Sequence, residues 1–229
     1  MFPATLFDFN GVLADDEHVH LEAFQDTLRP LGIELTERAY WDHYLGYDDV
    51  GAFEAILRDH GREPTPSTVR QLVADKRPHY MTRARAGLRT FPGAAELIRA
   101  RAAVGPVAVV SGALTDEIEF GLTHLGVRDL VGHIVSAEDT TVSKPDPEGY
   151  RMGMEWLRPR VGEGAARAIV FEDSPAGIQA AKALGLPVVA LAHSYGEAEL
   201  LSAGADLVLE RLELVDVAQL EALYARLYG

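Results

Sequence analysis

The sequence predicts an α/β protein: a doubly wound parallel sheet, Rossmann-like in type, with helices on both faces and an inserted all-helical domain. Two observations predict this class. Short apolar segments alternate with helical patterns from about residue 94 onward, and residues 17 to 83 show helical patterns with no convincing strand. A separate apolar segment precedes them at residues 4 to 9. We therefore expect a core domain of residues 1–15 and 86–229 and a helical domain of residues 16–85.

The first strand and the insertion are punctuated by ordinary turn and cap signals. The apolar segment 4–9 ends at the turn-forming pair Asn10-Gly11. A helix over residues 17–31 stops near Pro30, Thr36 caps the next helical segment, and Pro66 opens another. Residues 87–93 then read as a linker back to the core.

The remaining elements alternate, as a parallel sheet with crossover helices requires. We expect helices over residues 94–103, 115–125, 148–157, 176–184 and 215–227, and strands over residues 107–110, 134–135, 168–171, 188–191 and 207–208.

Composition excludes several classes of protein. The 229 residues carry a net charge of −14, which argues against nucleic acid and anionic membrane surfaces as partners. There is no cysteine, hence no disulfide, thiolate nucleophile or cysteine-based zinc site. No apolar run approaches a membrane span and no secretion signal is evident, so we expect a cytoplasmic protein, a monomer or a homodimer.

Acidic side chains follow two of the apolar segments. Asp8 ends the first strand, and Glu172-Asp173 follows the strand at residues 168–171. A carboxylate at the end of a buried strand is costly unless it is paired or binds a metal, and adjacent acids favour a bound cation. Oxygen ligands without a histidine cluster suit Mg²⁺. The alternatives are a turn or cap aspartate at position 8 and a solvated turn residue at Glu172.

Two further segments offer groups that bind phosphate. Ser111-Gly112 supplies a hydroxyl and an open backbone amide where a strand leads into a helix. Lys144 lies between Ser143 and Pro145 in the segment 143–147, whose prolines restrict the backbone and aim the lysine. Ser111 as a plain helix cap and Lys144 as a surface lysine are the alternatives. Taken in order, the four segments have the composition of a metal-assisted phosphoryl-transfer site with an aspartyl-phosphate intermediate.

These four segments resemble the motifs of the haloacid dehalogenase (HAD) superfamily, subfamily IA. The chain is similar to β-phosphoglucomutase and phosphoglycolate phosphatase-like enzymes, in which a helical cap domain is inserted after the first motif. The resemblance spans the whole chain. Its motifs here are residues 8–15, 109–112, 143–147 and 171–181.

The resemblance implies a role for each matching residue. Asp8 is the nucleophile and a Mg²⁺ ligand, and the residue at position 10 lends its backbone carbonyl to the metal. Ser111 and the Gly112 amide hold the transferred phosphoryl group. Lys144 neutralises that group. Asp173 ligates Mg²⁺, and Glu172 supports the metal directly or through water.

Asn10 departs from the family pattern, which has an aspartate there as general acid and base. An amide hydrogen-bonds but does not exchange protons usefully near neutral pH. Three interpretations stay open: a natural residue in a slow or specialised enzyme, an engineered Asp→Asn change, or an Asn-Gly pair that deamidates. Under the first, the nearby groups that could move the proton are Asp15, Asp16, Glu17 and His20, although His20 as a plain helix-face residue is the simpler reading.

The helical domain is expected to set substrate choice. Lys76 and His20 match positions of the mutase cap, so both are candidate substrate contacts; Lys76 as a solvated helix residue is the alternative. The acidic stretch Gly46-Tyr47-Asp48-Asp49 stands where a second phosphate would need a cation.

We therefore predict a Mg²⁺-dependent phosphomonoester hydrolase acting on a small phosphorylated metabolite, slowed by Asn10. The first alternative is a β-phosphoglucomutase-like sugar-phosphate mutase, which the acidic stretch disfavours. The second is a non-enzymatic phosphate-binding or regulatory protein on the same scaffold, for which Asn10 is the only sequence support.

Overall fold

The protein, described by a computed structural model over residues 1–229, forms two compact units. The core unit comprises Met1–Asp15 and Thr90–Gly229, and the helical unit comprises Asp16–Arg89. The second boundary lies four residues beyond the expected one because the linker belongs to the core unit from Thr90. Ala14 and Thr90 form an antiparallel bridge, and the Phe91 amide donates to the Leu13 carbonyl at 3.1 Å.

The core unit contains a six-stranded sheet in which every neighbouring pair is parallel, as predicted. The strands are β1 (Thr5–Phe7), β2 (Val107–Val110), β3 (His133–Val135), β4 (Ile169–Glu172), β5 (Val188–Leu191) and β6 (Leu207–Leu209). Their order is β3-β2-β1-β4-β5-β6, so the direction of the crossovers reverses at β1. Ligands bind at such a reversal, beyond the carboxyl ends of the strands.

Helices make up the helical unit, and no strand occurs within it, as predicted. They are α1 (Glu17–Leu28), α2 (Glu37–Ala39), α3 (Asp49–Asp59) and α4 (Pro66–Gly87). Thr36 and Thr65 cap α2 and α4 with their side-chain oxygens. The predicted helix over 17–31 ends its α-helical part at Leu28 and continues as a 3₁₀ turn, because Pro30 has no amide hydrogen to donate.

Five α-helices of the core unit lie between its strands in sequence, and a sixth follows β6. They are α5 (Ala94–Ala102), α6 (Thr115–His124), α7 (Glu148–Val161), α8 (Pro175–Lys182), α9 (Glu197–Ser202) and α10 (Val217–Tyr228). α7 runs four residues past its predicted end, through Pro159. No helix in the chain has both the length and the apolar character needed to cross a membrane.

Burial explains why these segments form strands. Every residue of β1, β2, β4 and β5 is buried, which is the pattern of parallel strands covered on both faces. Side chains from the strands and from α7 and α8 share one apolar cluster that includes Leu6, Val110, Tyr150 and Ile178. The sheet is thereby held rigidly, and the residues that follow its strands are held with it.

The helical unit has its own apolar core, centred on aromatic side chains. Phe53 of α3 is fully buried, and its ring lies edge-on to that of Phe24 with 4.8 Å between the centroids. Ile56 and Leu57 complete the buried face of α3.

Phe53→Ala is expected to lower the free energy of unfolding of the helical unit by about 3–5 kcal/mol, because it removes a buried ring and leaves a cavity. Val50→Ala on the same helix is the control, since Val50 is 44% exposed. Denaturant unfolding followed by the fluorescence of Trp41, in a Trp156→Phe background, reports on this unit alone. Equal denaturation midpoints for Phe53→Ala and Val50→Ala would contradict the burial of Phe53 in this core.

Candidate active site

The site lies where β1, β2 and β4 end side by side. Phe7, the last residue of β1, is in register with Val109 and Phe171. Asp8 and Ser111 directly follow their strands, and Glu172 is the last residue of β4. The sheet therefore brings residues that are distant in sequence to one edge.

Lys144 joins two of the acids. Its Nζ donates to Asp8 Oδ1 at 2.6 Å, to Glu172 Oε1 at 2.6 Å and to the Val110 carbonyl at 3.1 Å. These three acceptors match the three hydrogens of an ammonium group. The lysine side chain is only 20% exposed, so it is not the surface lysine of the alternative reading.

Burial and the neighbouring charges shift the pKa values of both Asp8 and Lys144. Burial raises the pKa of Asp8 to about 7, with Lys144 opposing the shift and Glu172 adding to it. Burial alone would lower the pKa of Lys144, but Asp8 and Glu172 outweigh it and hold that pKa above its usual value. Lys144 is consequently cationic at neutral pH.

Glu172 is fully buried, and the protein supplies donors to both of its oxygens. Oε1 accepts from Lys144 and, at 2.6 Å, from the Tyr150 hydroxyl. Oε2 accepts from the Asp173 amide and from the amide and hydroxyl of Ser174 at 3.2 to 3.4 Å. Burial and Glu172 hold the pKa of Tyr150 well above its usual range, so its hydroxyl stays a donor. The solvated-turn reading of Glu172 is wrong because the carboxylate ends a buried strand.

Two glycines make room for the acids. A Cβ on Gly177 would overlap the Glu172 carboxylate, and a Cβ on Gly11 would overlap the Asp173 carboxylate. Gly11 also has a φ of +71°, which side chains rarely adopt. The positions of the two carboxylates therefore require glycine at residues 11 and 177.

Asn10 and Ser111 meet directly. The Ser111 hydroxyl donates to Asn10 Oδ1 at 3.3 Å and accepts from the Ala113 amide at 3.2 Å. Ser111 is not the cap of α6, which begins only at Thr115. Gly112, the next residue, is exposed.

The other two candidates, His20 and Lys76, belong to the helical unit. Lys76 is fully buried, which excludes the solvated alternative. Its Nζ pairs with Asp49, lies 2.8 Å from His20 Nδ1 and stands 4.3 Å from the centre of the Phe24 ring. The lysine charge is thus balanced by a carboxylate of the same unit.

Sequence reasoning missed several residues that contact the acids or the loop at Gly11. Tyr150 and Ser174 hold Glu172, Ser194 donates to Asp173 Oδ2, and His193 contacts the Gly11 carbonyl. Ser194 and His193 follow β5, so the rule that polar residues after strand ends form the site would have found them. Nothing in the sequence distinguishes Tyr150 from other helical tyrosines.

The acids fit a hard divalent cation. One oxygen from each of Asp8, Glu172 and Asp173 lies within 4.8 Å of the others, and all three residues are buried. With Lys144, these groups carry three negative charges and one positive charge when ionised, an excess of two negative charges. Carboxylate oxygens are the ligands that Mg²⁺ prefers.

The fold and the site define an α/β enzyme scaffold with a cation-binding acidic cluster and a buried lysine at the carboxyl edge of its sheet. Comparison with known proteins identifies the family. The haloacid dehalogenase-like hydrolase family matches residues 5–191, and the chain belongs to it. The predicted superfamily and the predicted doubly wound fold class are both confirmed.

Two relatives are similar over nearly the whole chain, and one of them has two solved structures. Validoxylamine A 7'-phosphate phosphatase of Streptomyces hygroscopicus subsp. limoneus is 32% identical over 213 residues, covering 93% of this chain and 95% of that one. CbbY from Rhodobacter sphaeroides, in complex with phosphate, has a TM-score of 0.82 at 27% identity, covering 96% and 100%. A mutant of that CbbY in complex with xylulose-(1,5)bisphosphate has a TM-score of 0.82 at 28% identity, covering 95% and 98%.

Gly177→Ala is expected to lower the free energy of unfolding by about 1–3 kcal/mol, because the added methyl group must displace the buried Glu172 carboxylate. Gly87→Ala is the matched control, since a Cβ there meets no atom within 4 Å. Chemical denaturation of both variants measures the difference. A Gly177→Ala protein as stable as Gly87→Ala would show that the carboxylate does not occupy this position.

Proposed function

We propose that this protein is a Mg²⁺-dependent phosphomonoester hydrolase that acts on a small phosphorylated metabolite through an aspartyl-phosphate intermediate. The observation that carries the proposal is the bridge from Lys144 to Asp8 and Glu172 beside Asp173. The relatives support it, since one is named as a phosphatase and another was solved with phosphate bound.

Asp8 is the proposed nucleophile. One of its oxygens forms a bond to phosphorus as the ester oxygen leaves with its electron pair. Water then attacks the phosphorus, which releases phosphate and restores the carboxylate. In this proposal the Ser111 hydroxyl and the Gly112 amide hold the phosphoryl oxygens, and Lys144 offsets their charge.

Mg²⁺ would be held by Asp8, Asp173 and the backbone carbonyl of Asn10. Glu172 accepts five hydrogen bonds within the protein, which favours an indirect, supporting role for it. When bound, the ion supplies positive charge that polarises the phosphoryl group. Burial of the acids keeps that charge poorly screened by water.

We expect Asn10 to make the proposed enzyme slow. Its side chain hydrogen-bonds Ser111 through Oδ1, but an amide does not exchange a proton usefully with the leaving oxygen or with water near neutral pH. Leaving groups that depart without a proton should therefore react fastest.

The residues of the helical unit favour a monophosphate substrate over the bisphosphate intermediate that a mutase must bind. His20 and Lys76 stay proposed substrate contacts, but Lys76 is already paired with Asp49 within the helical unit. Binding a second phosphate group requires a cation that no carboxylate already neutralises, and Asp49 already neutralises Lys76. This pairing favours hydrolysis over the mutase alternative.

Asp8→Ala is expected to abolish the hydrolysis of p-nitrophenyl phosphate in Mg²⁺, because the attacking carboxylate is lost. Asp129→Ala, at an exposed aspartate of the core unit, should keep the activity of the parent chain. Chelation by EDTA should also abolish activity, and added Mg²⁺ should restore it. Undiminished turnover in Asp8→Ala would sink the proposed mechanism.

Asn10→Asp is expected to raise the same activity by about 10²–10⁴-fold, the usual contribution of a general acid and base. Intact-mass and peptide-mapping checks must first show that Asn10 has not deamidated. Comparable rates in both proteins would mean that another residue moves the proton. Mg²⁺ binding without turnover of any phosphate ester in either protein would favour the binding-protein alternative.

A further inference from the structure

The segment after β5, residues 192–195, is outside all four sequence motifs but contacts two residues of the site, Gly11 and Asp173. β5 pairs with β4, so this segment follows the strand beside Glu172 and Asp173. The Ala192 amide donates to the Leu209 carbonyl of β6 at 2.9 Å, which fixes the segment to the sheet. Its next two residues, His193 and Ser194, are partly buried.

Ser194 acts on the carboxylate of Asp173. Its hydroxyl donates to Asp173 Oδ2, and the Gly11 backbone lies against the same carboxylate, too close for a Cβ. The carboxylate is therefore confined between a hydroxyl on one residue and a glycine on another. A hydrogen bond to one oxygen of the carboxylate fixes the orientation of the other.

His193 acts on the loop that carries Asn10. Its Nδ1 lies 2.8 Å from the Gly11 carbonyl, and because a carbonyl only accepts, Nδ1 must carry the proton. The imidazole ring is stacked on Phe91 with 3.8 Å between centroids and an interplanar angle of 11°. The ring thus has a fixed plane and a fixed tautomer, and it ties Gly11 to the segment after β5.

We propose that Ser194 and His193 are positioning residues of the metal centre: Ser194 orients Asp173, and His193 holds the loop of Asn10 and Gly11 against it. The inference rests on the proposed function, since it concerns the cation that Asp173 would bind. Ser194 holds the side chain of Asp173, and the adjacent His193 holds the loop that carries the Asn10 carbonyl. The two residues therefore set the spacing between these two proposed Mg²⁺ ligands.

The test for Ser194 is Mg²⁺ binding by isothermal titration calorimetry, without substrate. Ser194→Ala should raise the dissociation constant about 10–100-fold, the usual effect of losing a partner that orients a metal ligand. Ser194→Thr should restore binding because it keeps the hydroxyl. Ser202→Ala, an exposed serine at the end of α9, is the control and should bind as the parent chain does.

The outcomes separate this inference from the proposed function. Unchanged Mg²⁺ affinity in Ser194→Ala, together with lost binding in Asp8→Ala, would overturn the role of Ser194 and leave the metal centre standing. A parent chain that binds no Mg²⁺ would overturn both. Weaker binding in Ser194→Ala that threonine does not rescue would also count against the hydroxyl.

The test for His193 is amide hydrogen exchange. His193→Phe keeps a flat ring on Phe91 but loses the donor to Gly11. The Gly11 amide should then exchange about fivefold faster, the factor that loss of one net hydrogen bond produces. Exchange at the parent rate would overturn the anchoring role.

Discussion

Two of the three buried carboxylates at the end of the parallel sheet, Asp8 and Glu172, depend on the ammonium group of Lys144. Burial and the charge of Glu172 both raise the pKa of Asp8, so without Lys144 the Asp8 carboxyl would favour its neutral form. One cation that donates to both carboxylates and to the Val110 carbonyl uses all its hydrogens and holds the strand ends together. Breaking such a buried pair from one side leaves an uncompensated charge, so the arrangement is held as a unit.

The sheet order makes this arrangement available. β1 lies between β2 and β4, so residues 8, 111 and 172 come together although more than a hundred residues separate the first from the second. The helical unit is inserted between β1 and β2, but it does not separate these residues, because the chain enters and leaves the unit at neighbouring points of the core. The bridge between Ala14 and Thr90 joins those two points.

Much of the fold could be predicted because the buried strands are short, apolar and regularly spaced. β2 and β5 fall at the predicted residues, whereas β4 is displaced by one residue and ends at Glu172, whose carboxylate is satisfied by Lys144 and Tyr150. The site acids and Lys144 were predicted because each follows a strand or lies in a proline-restricted segment. Tyr150 and the burial of Lys76 could not be predicted, since both depend on tertiary partners, Glu172 and Asp49, that local sequence does not specify.

The hydrogen bond from the Gly11 amide to the Ala14 carbonyl, at 2.9 Å, bears on the chemical ageing of the chain. Deamidation of an Asn-Gly pair proceeds when the glycine nitrogen attacks the asparagine side chain. In the folded protein that nitrogen is committed to Ala14, and the Asn10 oxygen accepts from Ser111. We therefore expect folding to slow the deamidation of Asn10, because the Gly11 nitrogen would have to leave Ala14 to attack the side chain, so that the converted residue should accumulate mainly in unfolded protein.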